Sequence, residues 1–138
     1  MHSELLNDVD ESEAIPICLA EDYEDIPKQI AAVGYGYDPT KKQQVFAGSQ
    51  GPGLQIAVFS DYKEEDGFIA IKELGMATCQ GDSGGPLFFR GNRGYTLLGI
   101  TSTGGNCDKL DPEIKAKYVD VRNHFDWICS NTGEHTYI

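Results

Sequence analysis

One serine lies in a sequence that could make it a nucleophile. Ser83 is the centre of the run Cys79-Gln80-Gly81-Asp82-Ser83-Gly84-Gly85-Pro86-Leu87. The glycines on both sides of it suit a tight loop whose backbone N–H groups can approach a substrate carbonyl closely. The run therefore indicates acyl transfer, with the serine hydroxyl as attacking group and backbone donors as stabilisers of an oxyanion.

The same run contains G-x-S-x-G, which is also the nucleophile elbow of α/β-hydrolases. That motif requires a helix directly after the serine. Here Gly84-Gly85-Pro86 follows, and two glycines and a proline make a very poor helix start. We therefore exclude the α/β-hydrolase interpretation.

A serine hydroxyl is a weak nucleophile until a base takes its proton, and that base needs an orienting carboxylate. The chain has three histidines. His2 lies in the polar N-terminus, His124 at the start of a predicted terminal helix, and His135 in the C-terminal tail. Each is more typical of a solvated surface side chain, so the sequence provides a nucleophile without its base.

Length and composition indicate one domain of the all-β class. The 138 residues are 40% hydrophobic, enough for one core, and they include 16 glycines and 7 tyrosines. Six short strands are predicted, and they favour a closed antiparallel barrel. Their ranges are Ile30–Val33, Leu54–Ser60, Phe68–Ile71, Pro86–Phe89, Tyr95–Thr103 and Tyr118–Val121. A helix is predicted from about Arg122 to Ser130, with Trp127 anchoring it to the barrel.

The formal net charge of −11 argues against nucleic acid or an anionic membrane as partner, because both attract basic proteins. Nine acidic residues fall between Glu4 and Asp25. They have no metal-loop spacing, so we interpret them as a solvated strip and predict no metal or cofactor. No apolar run approaches the roughly 18 residues of a membrane span.

The four cysteines are Cys18, Cys79, Cys107 and Cys129, and none forms a C-x-x-C pair. Disulfides are the better interpretation, which implies an oxidising compartment. No signal peptide is visible after Met1. We therefore expect a secreted or extracellular protein whose leader lies upstream of the printed sequence.

The serine run and its surroundings resemble the C-terminal half, or second barrel, of the chymotrypsin/trypsin family of serine proteases. Further matching segments are Ile15–Leu19, Val33–Gly36, Gly99–Gly104, Tyr118–Val121 and Asp126–Ile128. The resemblance implies a six-stranded antiparallel Greek-key barrel with a C-terminal helix. It predicts an acidic N-terminal segment 1–14, a protease domain over 15–130 and a tail 131–138.

By this resemblance Ser83 is the nucleophile, and the N–H groups of Gly81 and Ser83 form the oxyanion hole. Asp82 is the carboxylate that pairs with a newly cut N-terminal ammonium when a zymogen is activated. Cys79 and Cys107 form a disulfide beside the specificity pocket, while Cys18 pairs either with Cys129 or with an upstream segment. The pocket is lined by Ala77, Thr78, Ser102, Thr103, Gly104 and Ala116. It is uncharged, because Ala77 occupies the position where tryptic enzymes have aspartate.

The family's catalytic histidine and aspartate belong to a first barrel that this sequence does not contain, and Asp8 is not counted as that aspartate. We therefore expect a partial serine endopeptidase domain that acts on protein or peptide substrates. It would be inactive alone and would expose an apolar face to its missing N-terminal barrel. One alternative is a catalytically inert, protease-like binding module. A cytosolic acidic scaffold with free thiols ranks last.

Overall fold

A computed structural model describes residues 5–38, 53–73, 77–104 and 116–132 of the protein. These ranges contain eight strands, a 3₁₀ helix and one α-helix. The strands are β1 (Cys18–Leu19), β2 (Ile30–Gly34), β3 (Gln55–Phe59), β4 (Tyr62–Glu65), β5 (Phe68–Ile71), β6 (Pro86–Gly91), β7 (Gly94–Thr103) and β8 (Lys117–Asp120). The 3₁₀ helix (Val121–His124) leads into α1 (Phe125–Thr132).

The strands form one curled sheet in the order β3-β2-β6-β7-β8-β5-β4, in which all neighbours are antiparallel. Its two outermost strands, β3 and β4, are consecutive in the chain and separated only by Ser60 and Asp61. At this bend Lys72 N–H donates to the Asp61 carbonyl at 2.8 Å. The two ends of the sheet therefore meet, and β3 with β4 counts as one bent strand of a six-stranded barrel. β1 lies off this path, parallel to β7.

The order of the strands is that of a Greek key. β2, the bent strand β3/β4 and β5 follow one another around the barrel, and β6 then returns to lie beside β2. This return places the start of β6, and the Ser83 loop that precedes it, next to the end of β2.

The core is filled by side chains that alternate along the strands. In β2 Ile30 and Ala32 are buried, and in β6 Leu87 and Phe89 are buried, as the two-residue period of a strand requires. The cluster is completed by Ala20, Phe59, Ile69, Ile71, Leu98, Ala116, Tyr118 and Val121. Burial of this apolar surface is the main stabilising term of such a barrel.

A buried guanidinium joins Glu24, which precedes β2, to the barrel. The side chain of Arg122 is 11% exposed, and its Nη2 donates to Asp120 Oδ2 at 2.7 Å. Its Nη1 donates to the Glu24 carbonyl at 3.0 Å, and it also pairs with Glu64 of β4. The hydrogen bonds with Asp120 raise the pKa of Arg122, so the charge persists despite burial. Removing one partner of such a buried pair leaves an uncompensated charge.

The predicted all-β barrel with a C-terminal helix is confirmed, and each of the six predicted strands overlaps an observed one. Strand β4 was missed because Tyr-Lys-Glu-Glu is not a typical strand sequence. Its signal was the Asp66-Gly67 dipeptide, where φ values of 49° and 80° form the tight turn of a hairpin with β5.

The prediction for the terminal helix needs two corrections. Its first turn is 3₁₀ and not α-helical. The role of Trp127 as an anchor is also wrong, because its side chain is 56% exposed and α1 buries none of its residues. In the described part of the chain, no helix has the length and apolarity to span a membrane.

Candidate active site

Ser83 is exposed on the loop between Cys79 and the first residue of β6. Asp82 N–H donates to the Cys79 carbonyl at 3.0 Å and closes a turn in which Gly81, with φ of 95°, is the third residue. A positive φ at this position, after a residue of ordinary φ, defines a type II turn, which favours glycine. The glycine before the serine is therefore required by the local backbone.

The Asp82 carboxylate is held by two backbone donors. Gly36 N–H donates to Oδ1 and Cys79 N–H donates to Oδ2, each at 2.8 Å. A Cβ atom on Gly34 or on Gly36 would overlap this carboxylate. The Gly-Tyr-Gly segment at the end of β2 thus forms a seat for the side chain of the residue that precedes Ser83. The sequence analysis matched this segment to the family but missed its contact with Asp82.

Strand β7 holds the other side of the loop. Gly84 N–H donates to the Thr101 carbonyl at 2.9 Å, and Thr101 returns its N–H to the Gly85 carbonyl at 2.9 Å. The Thr101 hydroxyl donates to the same carbonyl at 3.0 Å. The loop is therefore attached to β2 through Asp82 and to β7 through Thr101, so its backbone is fixed on both sides of Ser83.

Three loop donors remain available for a ligand. Asp82, Gly84 and Gly85 donate their N–H groups within the protein. Over the described ranges, the N–H groups of Gln80, Gly81 and Ser83 have no protein acceptor. The sequence analysis assigns those of Gly81 and Ser83 to the oxyanion hole, an assignment that stays a prediction.

The predicted pocket residues separate into a buried group and an exposed group. Thr78 and Ala116 are buried, and beside them the buried Tyr118 hydroxyl lies 3.5 Å from Thr78 Oγ1. Burial raises the pKa of Tyr118 to about 12, so this hydroxyl stays neutral. The exposed group comprises Ala77, Ser102, Thr103 and Gly104. The structure thus places Ala77 at the surface, while Thr78 faces the protein interior.

The structure resolves one of the cysteine alternatives. Cys18 in β1 and Cys129 in α1 are both free thiols, so the suggested pairing between them is not formed. Cys79 is disulfide-bonded. Cys107 lies outside the described residues, and the Cys79–Cys107 pairing stays a prediction.

No base reaches Ser83 in the described part of the chain. His124 is the one histidine there; it is exposed at the end of the 3₁₀ helix, and no hydrogen bond joins it to Ser83. His2 and His135 lie outside the described residues. Among the described side chains, no group of three or more His, Cys, Asp or Glu is arranged to hold a metal ion.

The chain is similar in sequence to known proteins. The family model described as Trypsin matches residues 4–128. Complement factor I of Mus musculus is 38% identical over 73 residues, which are 52% of this chain and 12% of that protein. Snake venom serine protease KN1 of Trimeresurus stejnegeri is 48% identical over 61 residues, 44% of this chain and 21% of that protein.

A third relative is the tissue-type plasminogen activator of Bos taurus, 46% identical over 54 residues, which are 39% of this chain and 9% of that protein. The matched part of the chain therefore spans at most 21% of these three relatives.

Proposed function

Because the chain belongs to the trypsin family, we propose that it is the nucleophile-bearing half of a secreted serine endopeptidase. Ser83 would attack the scissile carbonyl and form an acyl-enzyme, which water then hydrolyses. The single observation that carries this proposal is the Ser83 loop itself. It presents an exposed hydroxyl beside two N–H donors, those of Gly81 and Ser83, that have no acceptor in the described protein.

The two donors would act on the oxygen of the tetrahedral intermediate. Charge develops on that oxygen as Ser83 attacks, and a fixed N–H stabilises the charge without reorganising. Loss of one such donor typically costs about 3–4 kcal/mol of transition-state stabilisation. The type II turn at Gly81 supports this role, because it fixes the peptide plane that carries one of the donors.

The proton of Ser83 must go to a base from outside the described chain. We assign this role to a histidine, oriented by an aspartate, in a first barrel that docks beside the loop. Without it Ser83 stays protonated, and the residual benefit of the oxyanion donors and of binding is only about 10³–10⁴-fold over water. The isolated chain is therefore expected to be inactive.

An exposed apolar face supports the docking of a first barrel. Ile56 and Val58 on the outer side of β3, and Leu54 just before the strand, have exposures of 65%, 44% and 61%. The start of β3 lies near the loop, because Gln55 Nε2 donates to the Gly36 carbonyl and the Gly36 N–H donates to Asp82, although the Gln55 side chain is on the opposite face of the strand from Ile56. Contiguous exposed apolar surface is typical of sites where another protein binds.

We further propose that Asp82 receives an N-terminal ammonium when the enzyme is activated, and that Cys79 pairs with Cys107. An ionised carboxylate has about four acceptor sites, and Gly36 and Cys79 use two of them in the described structure. An ammonium could therefore bind without displacing the seat that holds the loop.

The test is to assay the chain alone and after it is joined to the first half of a complete serine protease of the family. Matched peptides would carry Ala, Leu, Phe, Arg or Lys before the scissile bond. We expect no turnover by the chain alone. The completed enzyme should cleave after uncharged residues, because burying an unpaired Lys or Arg costs several kcal/mol. A fluorophosphonate should label Ser83 in the completed enzyme only.

Ser83→Ala is the matched control and should abolish both turnover and labelling. Turnover by the chain alone that disappears in this variant would contradict the need for an external base. If the completed protein assembles but is not labelled by the fluorophosphonate and does not cleave the peptides, the alternative of an inert binding module is favoured.

A further inference from the structure

The two sides of the predicted side-chain pocket are in contact. A Cβ atom placed on Gly104 would lie 2.5 Å from the carbonyl oxygen of Thr78 and 3.6 Å from the Cα of Cys79. Because a carbon–carbon bond in the backbone is about 1.5 Å long, the Gly104 Cα lies within about 4 Å of that oxygen. The backbone after β7 therefore rests directly on the backbone that leads to the Ser83 loop.

Burial of the residues that Gly104 contacts agrees with this. Thr78 and Cys79 are each 6% exposed, whereas Ala77 before them is exposed. A slot open to a substrate side chain would leave such lining accessible to solvent. Ser83 and Ser102, at the rim, are exposed, so closure affects the depth of the pocket and not its entrance.

An irregularity in β7 lies next to this contact. Thr101 pairs with Tyr118 of β8, but the next pair is Thr103 with Lys117, so β7 advances two residues while β8 advances one. The extra residue, Ser102, makes a β-bulge, which bends a strand and redirects the residues that follow. Thr101 keeps its hydrogen bonds to Gly85. The bulge therefore redirects only the residues after Thr101, at the end of β7 and at Gly104.

We propose that this contact makes the side-chain subsite shallow, so that the enzyme accepts glycine or alanine before the scissile bond and rejects larger residues. This inference rests on the proposed function of Ser83. A carbon atom needs about 3.5–4.0 Å to each wall, so an occupied slot needs walls about 7–8 Å apart. The alanine methyl can rest at the rim. The side chain of a substrate leucine or phenylalanine can enter the slot only if Gly104 and Thr78 move apart.

The substrate preference expected from this contact differs from the preference expected from an uncharged pocket alone. Absence of a countercharge disfavours lysine and arginine but treats alanine, leucine and phenylalanine alike. The contact between Gly104 and Thr78 instead favours alanine over leucine and phenylalanine, because it limits the size of the side chain that fits. The contact joins backbone to backbone, so it does not depend on the side chain of Thr78.

The first experiment uses the chain completed with its first half and peptides that differ only in Gly, Ala, Val, Leu or Phe before the scissile bond. We expect kcat/KM for Ala to exceed that for Leu and Phe by about 100-fold or more, the range that single methylenes produce in tight pockets. A small alkyl fluorophosphonate, which places no side chain in the slot, reports separately whether Ser83 is reactive. Labelling together with equal or better cleavage after Leu or Phe would overturn the inference while the proposed function stands.

The second experiment tests closure on the unmodified chain and needs no catalysis. Indole and p-cresol are neutral aromatic probes that fit an open slot, and they would be titrated to millimolar concentration while backbone amide shifts are recorded by NMR. We expect no saturable shifts at Thr78, Cys79 and Gly104. Saturable shifts at these three residues would overturn the inference whether or not Ser83 is reactive. Shifts along β3, at Ile56 and Val58, would report binding to the separate apolar face and would show that the probes are detectable.

Discussion

At the scale of single residues, the loop depends on Asp82 as much as on the serine beside it. Its carboxylate bridges the end of β2 and the start of the loop through Gly36 and Cys79. Hydrogen bonds that involve an ionised group are roughly twice as strong as neutral ones. The seat fits only because Gly34 and Gly36 have no side chains.

Asp82→Asn is expected to lower the free energy of unfolding by about 1–3 kcal/mol. Asparagine has the same shape but one acceptor oxygen, so its NH₂ group would oppose one of the two N–H donors. Urea unfolding measures the change. Asp8→Asn, an exposed carboxyl in the N-terminal segment, is the control for loss of one negative charge. Equal effects of the two substitutions would contradict a specific role for the seat.

At the scale of elements, charged side chains supplement the backbone pairing of β4 with β5. Glu65 of β4 pairs with Lys63 of the same strand and, at 2.9 Å, with Lys117 of β8. These two strands are not neighbours, because β5 lies between them. The Lys117 ammonium also lies 5.9 Å from the centre of the Phe68 ring on β5. The pair therefore spans three strands across one face of the sheet.

The hydrogen bond from Lys63, and then that from Lys117, lower the pKa of Glu65 from 4.5 to about 2. A lowered folded-state pKa means that the interaction stabilises the fold fully above about pH 4.5 and is lost as the pH falls toward 2. NMR titration of the Glu65 carboxyl should give a midpoint near 2. Lys117→Gln should move this midpoint upward, whereas Lys28→Gln, which removes an exposed charge elsewhere, should not. A midpoint that is the same in all three proteins would contradict the bridge.

At the scale of the whole molecule, the described barrel has a packed interior and an uncovered side. The interior holds Phe59, Leu98 and Tyr118 with no exposed surface. The outer side of β3 instead exposes Ile56 and Val58. The net charge of −11 keeps such a surface in solution by mutual repulsion between copies.

The double variant Ile56→Thr, Val58→Thr is expected to change the free energy of unfolding by less than about 0.5 kcal/mol, because both side chains are exposed. It should weaken association with the first half about tenfold or more, since each lost aliphatic contact removes buried apolar area. The measurements are urea unfolding and a titration of labelled first half. Tyr95→Thr, an exposed position at the start of β7, at the opposite end of that strand from Thr101 and the Ser83 loop, is the control. Unchanged association in the double variant would exclude β3 as the docking face.

The sequence by itself determined the class of the fold and singled out Ser83 as the candidate nucleophile. Both depend on local patterns. Alternating apolar residues define a strand wherever it lies, and the glycine-rich run around Ser83 permits few backbone conformations. The predicted strands Phe68–Ile71 and Pro86–Phe89 are accordingly found almost unchanged, as residues Phe68–Ile71 and Pro86–Gly91.

Only the tertiary structure decided which of these elements contact one another and through which residues. The bend at Ser60 and Asp61 closes the order of strands, and Gly36, 46 residues before Asp82, supplies a donor to its carboxylate. The contact between Gly104 and Thr78 depends on a bulge that has no local sequence signal. Such features join residues far apart in the chain, and their geometry is set by packing across the barrel. The sequence can therefore name candidate pocket residues, whereas the space between them is decided by the tertiary structure.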